Sequence, residues 1–149
     1  MYLCTDSTQT WTRDIKTLIR SQLDIPGLHL IGHADLQNAD TNLGTHYHHM
    51  MEIVVTLDGK LQFIVDGLNH ILYGGDMFMA SPMEAHGNEG LPLNVCEYVW
   101  FQFDLSVPPE QFLALPPKQA VYVYLQLTQY HHRIKRAHSK DLPLLREAF

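Results

Sequence analysis

The first apolar pattern of the chain has a helical period. Within residues 7–23 it comprises Trp11, Ile15, Leu18, Ile19 and Leu23. Such spacing predicts a short amphipathic helix, and Asp6 or Ser7 supplies an N-cap. The sequence DIPG then ends the helix.

From Leu28 onward the chain changes to short runs rich in β-branched and aromatic residues. These runs are LHLIGHADL, MEIVVTL, LQFIVDG, NHILYGGDMFMAS and NVCEYVWFQFDL. The turn signals NADTNLG, DGK, DGLN, YGGD and NEGLP lie between or within them. Closely spaced strands with such turns predict an antiparallel sandwich or barrel.

The pattern changes again after the Pro-rich stretch VPPEQFLALPPK. The next residues, QAVYVYLQLTQY, fit either a further strand or the start of a helix, and we favour a strand over 119–127 because alternate positions are apolar. KDLPLLREAF predicts a helix that begins after Asp141, with Pro143 in its first turn. We expect the natural chain to continue, because this helix is shorter than usual. The predicted domains are a helix and connection (1–27), a β-barrel (28–127) and a basic helical segment (128–149).

Composition and charge narrow the class of protein. The 149 residues are 46% hydrophobic, which is enough for one globular domain. No apolar run is long enough for a membrane helix, and the N-terminus lacks the features of a signal peptide. With only two cysteines and no disulfide framework, we predict a cytoplasmic protein without a membrane partner.

The charge is unevenly distributed along the chain. Residues 1–132 carry 5 Lys and Arg against 14 Asp and Glu, whereas residues 133–149 carry 5 against 2. The acidic body is therefore a poor nucleic-acid binder. The basic end is a nucleic-acid contact, a solvated helix face or a linker, and short charge runs more often have the latter roles.

The stretch THYHHMMEIVVTLDG concentrates the candidate chemistry. Side chains alternate along a strand, so His46, His48 and Glu52 share one face and His49 points away. If the sheet folds back, His86 joins them. Imidazoles and a carboxylate are ligands for a divalent transition metal. The alternative is that these groups only hydrogen-bond each other, water or an organic ligand.

Two motifs carry a family resemblance. His46-x-His48, Glu52 and Gly59 resemble the first cupin motif, although Asp40 replaces its leading glycine. GDMFMASPMEAH resembles the second motif in the form found in the effector domains of AraC-type transcription regulators. Here the second glycine is replaced around Glu84, proline and histidine are four apart, and Gly90 stands where an asparagine is usual. EYVWFQFDL resembles the strand that follows.

The resemblance implies an all-β fold, a cupin-type jelly-roll barrel, here with a short N-terminal helix and a helical C-terminal segment. In cupin enzymes the positions of His46, His48, Glu52 and His86 bind iron, manganese, nickel or zinc. In AraC-type regulators the barrel binds a small effector, often a sugar, and DNA is bound by a separate C-terminal domain. Only about thirty residues follow Pro117 here, too few for such a domain.

Further candidate ligand-binding residues lie on the strand at 97–105. Tyr98, Trp100 and Gln102 share a face, and Trp or Tyr can stack on a sugar ring. Glu84 and Glu97 are pocket, rim or solvated groups. His131 and His132, in the basic tail, are expected to be an exposed pair.

Two functions follow from these features. The favoured one is the ligand-sensing and dimerisation domain of an AraC-type regulator, a homodimer that binds a small polar effector. The alternative is a free-standing cupin metalloenzyme, such as a dioxygenase, isomerase or epimerase. No nucleophile with a general base is recognisable, so any catalysis would be metal-dependent.

Overall fold

Alternating β-branched and aromatic side chains build a barrel from most of this chain. The computed structural model describes residues 2–3, 12–39, 43–129 and 133–149. The strands within these ranges are β1 Tyr2–Leu3, β2 Ile15–Ile19, β3 Leu28–Leu36, β4 His46–Tyr47, β5 Met51–Val65, β6 Leu68–Tyr73, β7 Asp76–Ala80, β8 Cys96–Phe103 and β9 Ile134–Arg136. The helical segments there are α1 Arg20–Leu23, a 3₁₀ segment Pro109–Ala114, α2 Pro117–Thr128 and α3 Leu142–Glu147. Strands therefore outweigh helices in the described chain, and apart from the short parallel pair of β1 and β4 they pair antiparallel, as the sequence predicted.

The main sheet runs in the order β2-β3-β8-β5-β7-β9, and β6 pairs with the far half of β5. Strand β5 is 15 residues long and belongs both to the main sheet and to the pair that it forms with β6. Its first half pairs with β7 and β8, and residues 60–65 pair with β6. None of the described helices is both long and apolar enough to cross a membrane.

The sequence pattern divided β5 into two strands at DGK, and this prediction was wrong. The register with β8 shifts between Thr56 and Asp58, which marks a β-bulge, and the strand continues beyond it. Gly59 has φ +76°, and a Cβ there would lie 2.5 Å from the carbonyl oxygen of Val95. Gly59 therefore allows the strand to bend and change partners, rather than ending it.

Cross-strand pairs place the inner side chains of the barrel in layers. Glu52 pairs with Gln102, Val54 with Trp100, and Thr56 with Tyr98. Gly32 lies opposite Trp100, and a Cβ on Gly32 would lie 2.1 Å from the indole. The inner core below the polar end comprises Ala34, Leu36, Val54, Leu61, Phe63, Val65, Leu72, Phe78, Ala80, Leu93 and Cys96.

The C-terminal part of the chain covers the outer face of the same strands. Val55 and Val99 pack against Leu145 and Phe149. Met51 and Phe103 pack against residues of the 3₁₀ segment and α2. Both faces of β5 and β8 are therefore covered, which explains their nearly continuous apolar sequences.

The predicted N-terminal helix is largely a strand. Residues 15–19 form β2, paired antiparallel with β3, and only Arg20–Leu23 is helical. Ile15, Thr17 and Ile19 lie opposite Ala34, Gly32 and Leu30. β-Branched side chains favour this pairing at the edge of β3 over a helix. Residues 7–11 of the predicted helix lie outside the described residues.

The predicted strand over 119–127 is instead helix α2. Pro117 stands in its first turn, and Ala120, Val123, Tyr124 and Leu127 form a helical stripe on the core beside the 3₁₀ segment. Alternating Val121, Val123 and Leu125 also fitted a strand, so packing against Phe112 decided between the two periods.

The segment 128–149 is not entirely helical. Strand β9 pairs with β7 and so adds to the barrel sheet. α3 lies where a helix was predicted, with Asp141 at its N-cap position and Pro143 in the first turn, although the Asp141 side chain makes no capping bond. His131 and His132 lie outside the described residues.

The stacked pair of Phe63 and Phe78 should carry much of the barrel's stability. Their ring centroids are 4.5 Å apart and both side chains are buried. We expect Phe63→Ala to lower the free energy of unfolding by about 3–5 kcal/mol, measured by urea denaturation. Leu68→Ala, at a residue 65% exposed, is the control and should change it by less than about 0.5 kcal/mol. Equal losses in the two variants would contradict this account.

Candidate metal centre

Four polar side chains meet at one end of the barrel interior. His46 begins β4, His48 follows β4, Glu52 lies on β5, and His86 lies in the loop after β7. One ligand atom from each lies within 4.8 Å of all the others, and all four side chains are buried. The structure therefore brings together the four residues that the sequence selected as metal ligands.

Two backbone hydrogen bonds join the two halves of this cluster. The N–H of His46 donates to the carbonyl of His86, and the N–H of His86 donates to that of His46, both at 2.9 Å. Gly87 follows with φ +149°, and a Cβ there would lie 2.7 Å from the carbonyl oxygen of Gly44. This close contact places the first and second sequence motifs side by side.

The strand through the histidines is less regular than the alternation rule assumed. β4 ends at Tyr47, and the chain bends through residues 48–50 before β5 begins. His48 and Glu52 nevertheless point into the cluster, with 3.2 Å between Nε2 and Oε2. His49 is exposed and is not part of the cluster, as predicted.

Backbone carbonyls orient all three imidazole rings. Nδ1 of His46 lies 2.9 Å from the oxygen of Gly44, that of His48 2.9 Å from Met50, and that of His86 2.8 Å from Glu84. Because a carbonyl can only accept a hydrogen bond, each Nδ1 carries a proton. In a neutral ring, Nε2 then presents its lone pair, which is the arrangement of metal-ligating histidines.

The cluster is electrostatically unusual for a buried site. Burial alone would raise the pKa of the Glu52 carboxyl, but the neighbouring imidazoles of His48 and His86 outweigh it and hold that pKa well below its usual range. Burial lowers the pKa of His46. For His86, burial has the same direction, but the Glu52 carboxylate outweighs it and raises the pKa. The cluster thus contains an ionised carboxylate that needs a nearby positive charge.

Within the cluster, one buried nitrogen has no hydrogen-bond partner among the described residues. Nε2 of His86 is 3.5 Å from Oε1 of Glu52, too long for a good hydrogen bond, and it has no hydrogen-bond partner among the residues described. Leaving such an atom unsatisfied costs about 1–3 kcal/mol. A divalent cation would satisfy it. The imidazole nitrogens and carboxylate oxygen are suitable ligands for iron, manganese, nickel or zinc.

The predicted ligand-binding residues on β8 share the inner face with Glu52, but they differ in their distance from it. Gln102 donates from Nε2 to Oε2 of Glu52 at 2.9 Å, so it contacts the cluster directly. Trp100 and Tyr98 lie two and four residues further along β8, roughly 7 and 14 Å away. Their ring centroids are 5.6 Å apart. Burial raises the pKa of the Tyr98 phenol, so this group stays protonated at neutral pH.

The two glutamates that the sequence left open have structural partners. Glu97 accepts from Nε of Arg146 at 2.7 Å and lies 3.1 Å from Nε2 of His33, on the outer face. It is therefore not a pocket residue. Glu84 forms an ion pair with Arg133.

Sequence reasoning did not identify two residues that support the site. Asn88 is buried, and its Oδ1 accepts from the N–H of Leu43 at 2.9 Å, which holds the segment before His46. The sequence could have indicated Asn88, because it lies only two residues after the candidate ligand His86. Arg133 had none, because its partner Glu84 is 49 residues away.

Comparisons with known proteins identify the fold. No protein-family model matches the sequence, and no curated protein matches it. Among solved structures, an oxalate decarboxylase studied for its reaction specificity aligns with 90% of this chain and 40% of its own, at 15% identity and a TM-score of 0.50. KdgF from Halomonas sp. aligns over 63% and 83% of the two chains, at 21% identity and a TM-score of 0.45.

An RmlC-like cupin from Shewanella frigidimarina aligns over 62% of this chain and 68% of its own, at 16% identity and a TM-score of 0.39. At these identities the likeness concerns the fold alone. The fold is a jelly-roll barrel of the cupin type, as the two sequence motifs predicted. The chain spans less than half the length of the oxalate decarboxylase that it matches.

Metal binding can be tested through stability. We expect Zn(II) or Ni(II), added to metal-free protein at a hundredfold excess over Kd, to stabilise it by about 2.7 kcal/mol, seen as a rise in Tm. His86→Ala should abolish the rise, because it removes one ligand. His49→Ala is the control, since this exposed histidine lies outside the cluster. A rise that survives in His86→Ala would show that the metal binds elsewhere.

Proposed function

We propose that this barrel is the ligand-sensing domain of an AraC-type transcription regulator, and that it binds a small polar effector beside a metal ion held by His46, His48, Glu52 and His86. The observation that carries the proposal is the inner face of β8. Gln102, Trp100 and Tyr98 continue from the metal cluster along one line of cross-strand pairs. Amide, indole and phenol are groups that hydrogen-bond and stack on a ligand.

A bound divalent ion would supply a Lewis-acid contact to an oxygen of the effector. The protein's own groups then determine which molecule fits. Gln102 is oriented by its bond to Glu52 and carries both donor and acceptor atoms. Trp100 packs directly on the backbone of Gly32, which fixes one side of the indole. A sugar presents hydroxyl oxygens to the amide and a ring face to the indole, so we favour a sugar as effector.

Regulation requires that the effector distinguish two conformations of the full-length protein. DNA contact would come from a domain outside this chain, because α2 and α3 flank strand β9 of the barrel sheet and pack on the barrel. Tyr122 and Leu125 of α2 are 64% and 42% exposed. We propose that this helix face contributes to a homodimer. A cytoplasmic location follows from this role and stays a prediction.

A metal-dependent cupin enzyme is the second candidate. The complete buried set of four ligands, with Nε2 of His86 lacking a hydrogen-bond partner, favours it. A dioxygenase, isomerase or epimerase would need such a centre. Tyr98 is a poor general base because its phenol stays protonated.

The two functions differ in the fate of the ligand. Metal-loaded protein would be screened by thermal shift against sugars, small organic acids and aromatic acids, and each stabilising compound would then be followed by NMR. We expect a stabilising sugar to be recovered unchanged. Its conversion to a product would identify an enzyme. Specific operator binding by residues 1–149 alone would contradict the sensor proposal.

Trp100 should contribute to effector affinity without contributing to metal affinity. Trp100→Ala is expected to weaken binding of the stabilising ligand about tenfold, or about 1.4 kcal/mol, through loss of stacking. Zn(II) affinity should be unchanged, because Trp100 is not a ligand. Tyr73→Ala, at an aromatic residue 56% exposed on β6, is the matched control. Unchanged ligand affinity in Trp100→Ala would place the effector elsewhere.

A further inference from the structure

His86 lies on a loop, whereas the other three candidate ligands lie on a strand or directly after one. The turn before it is closed by Glu84. The N–H of Glu84 donates to the carbonyl of Ser81 at 3.1 Å, and its carboxylate accepts from the N–H of Ser81 at 2.9 Å. The carbonyl of Glu84 then accepts the Nδ1 proton of His86. The orientation of the His86 ring therefore depends on how firmly Glu84 is held.

Arg133 holds Glu84 from the C-terminal part of the chain. Both terminal nitrogens of its guanidinium donate to the Glu84 carboxylate. Nη1 also donates to the carbonyl of Met79 at 3.0 Å, and Cζ lies 5.7 Å from the ring centroid of Phe78. The backbones of the two residues are also joined, because the N–H of Met79 donates to the carbonyl of Arg133 at 3.0 Å.

The geometry of these contacts is specific to arginine. A bidentate guanidinium–carboxylate pair fixes both distance and orientation, which a lysine ammonium cannot do. The pair is only partly exposed, with side-chain exposures of 30% for Arg133 and 19% for Glu84, so water screens it incompletely. Arg133 also leads directly into β9, which is paired with β7.

We propose that Arg133 is a positioning residue for the metal centre. By clamping Glu84 it holds the carbonyl that keeps the proton of His86 on Nδ1 and directs Nε2 toward the metal. This inference rests on the proposed metal site. Without the clamp, the Glu84 turn loses its charged partner, and the His86 ring is no longer restricted to one tautomer and one orientation.

The test compares Arg133, which precedes strand β9, with Arg136, the last residue of that strand. Arg133→Ala removes the clamp. Arg136→Ala is the matched control, because Arg136 pairs with Asp76 at 2.9 Å and joins β9 to β7 without contacting the 81–86 loop. Zn(II) affinity would be measured by competition with a chromophoric chelator. The tautomer of His86 would be read from ¹⁵N–¹H NMR of the metal-free protein.

We expect Arg133→Ala to weaken Zn(II) binding about tenfold or more, as loss of a group that orients a ligand does, and Arg133→Lys to lie in between. Arg136→Ala should remain within about twofold of the unmodified protein. In Arg133→Ala the Nδ1–H tautomer of His86 should lose its dominance. Should Arg133→Ala fail to fold, Glu84→Gln keeps the shape of the turn without its charge and is expected to weaken Zn(II) binding as well.

Three results would overturn the inference. The first is unchanged Zn(II) affinity and an unchanged His86 tautomer in Arg133→Ala. The second is an equal loss in Arg136→Ala, which would make the effect one of strand pairing. The third is a pair of findings: the unmodified protein binds no Zn(II), and the His86 tautomer is the same in Arg133→Ala as in the unmodified protein. Absence of Zn(II) binding with a changed tautomer would reject only the metal site and would still support the positioning of His86 by Arg133.

Discussion

The site depends on three hydrogen bonds from imidazole to backbone. The carbonyls of Gly44, Met50 and Glu84 each hold one Nδ1 proton. With Nδ1 held, the rings of His48 and His86 place Nε2 3.2 and 3.5 Å from the Glu52 carboxylate. Buried nitrogens and a carboxylate would otherwise separate or take up protons. The backbone thus fixes a concentration of negative potential in the barrel, and a divalent cation is the simplest group that satisfies it.

Strand β5 transmits this arrangement to the rest of the fold. Its inner face carries Glu52 into the cluster, and its outer face is covered by α3 and the residues around it. The bulge before Gly59 lets one continuous strand serve two pairings. Because both faces of β5 are buried, a change in its register would disturb the site and the C-terminal packing together.

The C-terminal segment is part of the barrel rather than an appendage. β9 extends the sheet beside β7, α3 packs on the outer face, and Arg133 binds Glu84 in the loop that carries His86. In a regulator, this is where a signal from the effector would leave the barrel. Contacts on both sides of the same strands give the two regions a physical connection.

The sequence alone predicted the barrel, the two motifs and the four clustered side chains. It did so because strand alternation and turn residues are local signals, and because His46, His48 and Glu52 lie close together in the chain. Tertiary structure decided the features that depend on distant partners. β2 became a strand because β3 offered an edge, and α2 became a helix because its stripe met Phe112. Glu84 pairs with Arg133, which lies 49 residues away in the chain, and no local sequence pattern predicts such a contact.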